Sequence, residues 1–277
     1  MLRLIALALV SLALAASAAA AGGGPSPGVV TGWDGTLGPA GAVRYVALPS
    51  ERATVVAAVR TSDGRVLRYT TVPGSLGIAQ VAFDGTTEGV SRDGKTLVLA
   101  TYAGAGGVTR FAVLRTAPLR LRKTVTLRGN WSFDALSANA RTLYAIHYLG
   151  SGPNPRYDVR AVSLATGKPV GGAIVDKREP DEEMNGSPWA RARSAEGAWA
   201  YTLYAKPNGT AFVHALDTAR RRAFCVDLPW RSTQEAISVV RLSLENGGRA
   251  LVLSKPGSGR LAVVDTRSFK VQALAKP

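Results

Sequence analysis

A run of β-branched and aliphatic residues that ends in threonine and then turns occurs five times in this chain. The runs close at Thr61, Thr116, Thr166, Thr218 and Thr266. These threonines stand 55, 50, 52 and 48 residues apart, so a unit of about 50 residues fills the chain beyond its N-terminal stretch. A unit that short cannot bury both faces of a sheet by itself. Repeats of roughly 40–50 residues with several strands each are the mark of propeller blades, where every blade covers its neighbour. The spacing therefore predicts an all-β fold, a β-propeller of about five four-stranded blades.

A second mark precedes four of the threonines. A serine, a polar turn and an apolar strand follow one another at Ser91, Ser137, Ser194 and Ser243, as in SRDGKTLVLA and SANARTLYAI. Glycine in three of the four turns suits a tight antiparallel connection, and the serines read as caps of those turns. The first unit lacks this mark. Beyond the N-terminal run no stretch holds a helical apolar period.

SRDGKTLVLA, taken with RLAVVDTRSFKVQAL around Thr266, resembles the YVTN-type bacterial β-propeller repeats. In that family an S-x-D-G stretch leads into a strand, and V-x-D-T leads into a short charged hairpin. The resemblance covers nearly all of the chain as a repeat grammar and implies the propeller fold and a bacterial source, without implying an activity. The chain departs from it in one respect. The aspartate before the threonine is present only as Asp217 and Asp265, while Arg60, Arg115 and Ala165 hold the other places. Five units can close as a ring of their own, or Val29 to Pro39 can lend a strand to the last blade and latch it. A jelly roll or sandwich is the rival architecture, but it has no need of the period.

Residues 1–21 carry Arg3, an apolar run and an alanine-rich end, the layout of a secretory signal peptide, with an uncleaved anchor as the alternative. GGGPSPG over 22–28 reads as a tether, and 29–277 as a single propeller domain. The lone cysteine, Cys225, excludes an internal disulfide and, by its position, a lipid anchor at the signal. No second apolar span follows. The expected location is secreted or periplasmic, at the cell envelope.

The formal net charge is +15. In a propeller meander the turns between strands one and two and between strands three and four share one end of the ring. Those turns hold Arg65, Arg92, Lys95, Arg120, Arg122 and Arg141, then Lys168, Arg220, Arg221, Arg222, Arg249, Arg267 and Lys270. The acidic stretch GGAIVDKREPDEEMNGSP, 171–188, is expected at the other end as a loop insertion. It is read as a solvated loop, with calcium binding as the alternative. A basic end would rest on anionic envelope polymers or on another envelope protein. Specific nucleic acid recognition is not expected, because aromatics are not interleaved with these arginines along the sequence.

Three residues before the marker serines stand Glu88, Asp134 and Arg191. If the register holds, they meet at the channel. They either neutralise one another or serve as the carboxylates of a glycosidase- or lactonase-like hydrolase. Trp131 and Trp189 are placed to stack on a flat ligand or to pack between blades. His147 and His214 have no companion at ligand spacing, and neither a G-x-S-x-G nor a phosphate loop is present. No metal and no cofactor are expected. The chain reads as a binding or scaffolding module, with the propeller hydrolase as the alternative.

Overall fold

The protein is described here by a computed structural model covering residues 26–102, 107–150, 152, 154–181 and 183–277. The signal segment and most of the tether lie outside the described residues. Strand β1 (Val29–Val30) is followed by the first sheet: β2 (Gly32–Leu37), β3 (Val43–Pro49), β4 (Ala53–Arg60) and β5 (Val66–Pro73). The second sheet is β6 (Gly77–Ala79), β7 (Thr96–Ala100), β8 (Val108–Thr116) and β9 (Leu119–Arg128), with β1 added beside β6. The third holds β10 (Asn130–Leu136), β11 (Thr142–Leu149) and β12 (Arg156–Ser163). The fourth is β13 (Ser187–Arg193), β14 (Trp199–Ala205), β15 (Thr210–Asp217) and β16 (Arg222–Arg231). A short helix α1 (Gln234–Ser238) leads into the fifth, β17 (Arg241–Glu245), β18 (Ala250–Lys255), β19 (Gly259–Asp265) and β20 (Val271–Ala273).

Apart from the added β1, each of the five sheets is an antiparallel meander, and consecutive sheets stack face to face in the radial manner of a β-propeller. One apolar core joins Tyr45, Val56, Ile78 and Leu97 between the first and second sheets. Val98, Phe111, Phe133 and Leu143 join the second to the third. Tyr144, Val159, Phe212 and Leu216 fill the third–fourth boundary, and Leu203, Val213, Leu251 and Leu261 the fourth–fifth. Middle strands are therefore covered on both sides. Their apolar runs are continuous, as in fully buried β7, whereas the outer strand β9 alternates. Among the described residues no hydrogen bond or shared core joins the fifth sheet to the first. The far face of the first sheet keeps a small cluster of its own, Val46, Ala57 and Val59, beside an exposed Tyr69.

The units superimpose through a repeated tie. At the end of the third strand, Thr61, Thr116, Thr218 and Thr266 donate their backbone N–H groups to the carbonyls of Ala42, Lys95, Ala198 and Arg249, at 2.8 to 3.1 Å. Their hydroxyls donate to the carbonyls of Gly41, Gly94, Gly197 and Gly248 at 2.5 to 2.9 Å. Each of those glycines has φ between 67° and 84°, the left-handed region that glycine enters without steric cost. In the third sheet Leu164 makes the backbone bond, to Arg141, and Ala140 with φ 51° stands at the glycine's place. Thr166 is thus two residues out of register, inside the turn.

The serine mark is corrected in the same way. Ser91, Ser137 and Ser194 each accept, on the hydroxyl, the N–H of the residue five positions on, at 2.9 to 3.0 Å, closing their turns as expected. Ser243 instead lies inside β17 opposite Val252, and Glu245 occupies the marker position.

Four further expectations change. Val29 to Pro39 does not latch the last blade. Val29 and Val30 pair with Ala79 and Ile78 in the second sheet, and the rest opens the first sheet. The sheets hold three to five strands rather than four each. The acidic stretch is loop only in part, over 177–181 and 183–186. Residues 169–174 run beside β12, through Pro169 against Val162 and Ile174 against Val159, as an irregular outer edge of the third sheet. Finally, α1 is a helix without a sustained period, started by the Thr233 hydroxyl, which accepts from the N–H of Ala236.

The tie sets a stability contrast. Thr218→Val leaves the buried Gly197 carbonyl without its hydroxyl donor and is expected to cost about 1–2 kcal/mol. Thr166→Val, out of register and exposed, is expected within about 0.5 kcal/mol of the parent. Urea midpoints of the two variants check this, and equal losses would refute the assigned register.

Candidate functional site

Glu88, Asp134 and Arg191 do meet. The Arg191 guanidinium donates to Glu88 at 3.0 Å, to Asp134 Oδ1 at 2.8 Å, to the Asp134 carbonyl at 2.7 Å and to Thr202 Oγ1 at 2.5 Å. Arg193 reaches the second oxygen of Glu88 at 3.1 Å and the Leu136 carbonyl at 2.7 Å. One side chain of the fourth sheet is thereby bonded to residues of the second and third. The three charged groups are 8, 3 and 6% exposed, in the order Glu88, Asp134, Arg191. Burial alone would lower the pKa of the guanidinium. The two carboxylates outweigh it and raise its pKa further above the ordinary arginine value.

A backbone contact crosses between sheets at this level. A hairpin from the second sheet, paired through Gln80 and Thr87, reaches across to β13. There Phe83 and Asp84 donate their N–H groups to the carbonyls of Pro188 and Trp189, and Asp84 Oδ2 accepts from the Arg191 backbone. Sequence reasoning missed this hairpin, although Asp84-Gly85 between Val81–Phe83 and Thr86-Thr87 is a turn signature.

From the axis a polar row crosses the fourth sheet. Arg191, Thr202, His214 and Cys225 are successive cross-strand partners. The Cys225 N–H donates to Asp176, whose carboxylate also takes Arg178 in a forked pair. His214 is fully buried, and burial lowers its pKa. The Asp134 charge opposes this fall and Arg191 adds to it. Asp134 Oδ2 and His214 Nε2 find no hydrogen-bond partner among the described residues.

The other candidates separate. Trp131 is buried, with its ring stacked on His147 at 4.1 Å and its Nε1 donating to the Arg128 carbonyl, so it packs between sheets. Trp189 is half-buried against Phe83 at 5.2 Å, on the crossing hairpin. His147 does have an acid beside it, Asp158 at 3.7 Å, which the cross-strand register supplies and sequence spacing hid. Among the described residues no three histidine, cysteine or carboxylate groups converge as a metal site. Of the acidic stretch, Asp176 is buried under Arg178, and Glu183 pairs with Arg156. Glu182 lies outside the described residues.

Arg120, Arg122, Arg220, Arg221 and Arg222 are all exposed: Arg220 and Arg221 in the turn between β15 and β16, Arg222 at the start of β16, and Arg120 and Arg122 in the first residues of β9. Arg220 and Arg222 share Asp217, which is fully buried. In space, Arg222 lies over the ring of Phe224 at 5.4 Å and Arg178 over the same ring at 5.1 Å, so two guanidinium groups cover one aromatic ring here.

The fold is similar to that of dihydro-heme d1 dehydrogenase NirN in complex with DHE, at 11% identity and a TM-score of 0.53, over 90% of this chain and 46% of that one. It is also similar to the Dos1 propeller, at 11% identity and a TM-score of 0.48 over 87% and 57% of the two chains. A third likeness is to the periplasmic gluconolactonase PpgL of Pseudomonas aeruginosa, at 20% identity and a TM-score of 0.49, over 86% and 68%. The chain thus spans about half the length of the NirN chain it resembles. At these identities the likeness concerns the fold alone. The sequence matches no family model and no curated protein.

Two outcomes follow from the axis. Arg191→Met strands two buried carboxylates and is expected to cost about 3–5 kcal/mol at neutral pH. Urea midpoints of the variant and the parent check this, and equal midpoints would refute the stabilising role of the cluster. His214 adds a pH dependence. Its folded pKa lies below the unfolded value of about 6.5, so its contribution is complete above that pH and is lost as pH falls. His214→Gln should flatten the parent's loss of melting temperature from pH 7.5 to 5.5. His147, also lowered mainly by burial, leaves a residual slope of the same sign.

Proposed function

We propose that this chain is an exported β-propeller acting as a binding or scaffolding module at the cell envelope, engaging anionic polymers or another envelope protein through its basic end. The observation that carries the reading is where the charges go. The axial carboxylates are consumed by Arg191 and Arg193, while Arg120, Arg122 and Arg221 stand exposed with no carboxylate bonded to them among the described residues. Export is supported by the signal-like segment at residues 1–21. The Ser-x-Asp-Gly and Val-x-Asp-Thr stretches support descent from YVTN-type repeats, and five sheets support a five-bladed reading of the ring.

The hydrolase alternative draws on the meeting of Glu88 and Asp134 and on the unpartnered Asp134 Oδ2. A general acid must touch its substrate, and both carboxylates are buried beneath the crossing hairpin. Binding is the reading favoured by that burial.

Heparin chromatography tests it. The parent protein should be retained above about 0.3 M salt, because an organised patch outlasts diffuse attraction. The combined variant Arg120→Ser, Arg122→Ser and Arg221→Gly, with glycine chosen to suit the φ of 54° at that turn, should elute at clearly lower salt. Unchanged elution would refute the basic end as the binding surface.

A further inference from the structure

We propose that the cleft between the fourth and fifth sheets, at the basic end, binds a small flat ring compound that carries one anionic group. The cleft measures about 770 Å³, within the roughly 300–1,000 Å³ of small-ligand sites. Its floor is aromatic. Trp199 lies 6.1 Å from Phe224 and 5.8 Å from Phe269, and Phe224 and Phe269 stack at 4.6 Å. Arg178 and Arg222 cover Phe224, but each is already paired, Arg178 with Asp176 and Arg222 with Asp217, which Arg220 shares. The unspent charge sits elsewhere along the cleft. Arg249 and Arg267 line it without an ion pair among the described residues, and Glu196 is the only carboxylate among the lining residues. A ring has a surface to lie on, and an anion has two open guanidinium groups to take it. Glu196 accepts from a neutral hydroxyl or amine and repels a second anion.

The turn that delivers Phe269 points the same way. Three residues past the tie, the first and third sheets place Gly64 and Gly167, with φ 72° and 76°. The fifth sheet places Phe269 there at φ 56°. A bulky side chain resists that region and persists only where its surroundings hold it. Asp265 does so, accepting the N–H groups of Arg267 and Ser268 at 3.1 and 2.7 Å. Phe269 thus brings an aromatic ring to the cleft at a position that glycine would fill without strain.

This inference shares its surface with the binding function proposed above, but the two tests separate. Salt elution from heparin probes the charge of the whole end, and dependence on a ring probes this cleft. Isothermal titration of the purified protein should compare adenosine monophosphate with its two halves, adenosine and ribose phosphate. Adenosine monophosphate is expected to bind at least about tenfold more tightly than either half. Phe269→Gly, which keeps the turn, should lower its affinity toward that of ribose phosphate. The exposed pair Arg249→Ser and Arg267→Ser, which removes no buried contact, should lower it toward that of adenosine. Equal affinity for adenosine monophosphate and ribose phosphate, or an arginine-pair variant that binds like the parent, would overturn the proposal. So would the absence of binding to the parent.

Discussion

A guanidinium buried at the axis is the point on which the arrangement of the sheets turns. Arg191 comes from the fourth sheet, yet its hydrogen bonds end on the second and third as well. A charge so far from water is tolerable only when its partners are charged and well placed, and removing either side leaves the other exposed to the full cost of burial. The three sheets are therefore not free to shift past one another by a residue. A one-residue slip would carry Arg191 to the opposite face of its sheet. Apolar cores between the sheets supply most of the driving force but are tolerant of register. The axial ion cluster and the threonine–glycine ties supply the specificity.

Much of this was legible in the sequence because it is periodic. The third strand must end where the turn glycine offers its carbonyl, so a threonine at that spot recurs about every 50 residues. Counting three back from a correctly placed serine brought Glu88, Asp134 and Arg191 onto one axis, since equivalent strand positions face the same centre. The misreadings were local. Thr166 and Ser243 match the pattern in type but sit two residues from the true positions, held by Leu164 and Glu245. Two residues is one strand period, so side-chain alternation does not distinguish the registers; only the hydrogen bonds of the turn do. The crossing hairpin at 80–87 and the cleft of Trp199, Phe224 and Phe269 escaped for a different reason. Each depends on contacts between units, and a repeat describes only what happens within one.

The aspartate that set two units apart in the sequence acquires a physical reason. Asp217 and Asp265 precede the tie threonine in the fourth and fifth sheets only, and these are the sheets whose turns carry Arg221 and Phe269 at positive φ. In the first and third sheets glycine takes the left-handed position and needs no such support. A non-glycine residue in that conformation costs about 1–2 kcal/mol. Asp217 offsets part of this by accepting from the N–H groups of Ala219 and Arg220, and Asp265 does the same for Arg267 and Ser268. Hydrogen bonds to the Ser268 N–H and hydroxyl, then to the Arg267 N–H, hold the Asp265 carboxyl below the usual carboxylate range. The aspartate is thus the local condition for a large side chain at the turn rather than a reactive group.

The placement of several charges follows from the same architecture. A propeller meander returns the short turns to one end of every sheet, so whatever residues suit those turns accumulate there. Here they are arginines and lysines, while several of the carboxylates are drawn inward: Glu88 and Asp134 to the axis, Asp176 to the edge of the third sheet, Asp217 beneath its turn. Each inward carboxylate pairs with arginine, and each such pair withdraws one negative and one positive charge together. The net charge of +15 is therefore unchanged and is carried by basic residues outside these pairs. A buried carboxylate bonded to a buried guanidinium is poorly suited to proton transfer, because ionising or protonating either group breaks the contact that makes its burial tolerable. The arrangement that ties the second, third and fourth sheets together thus leaves Glu88 and Asp134 poorly placed for acid–base chemistry.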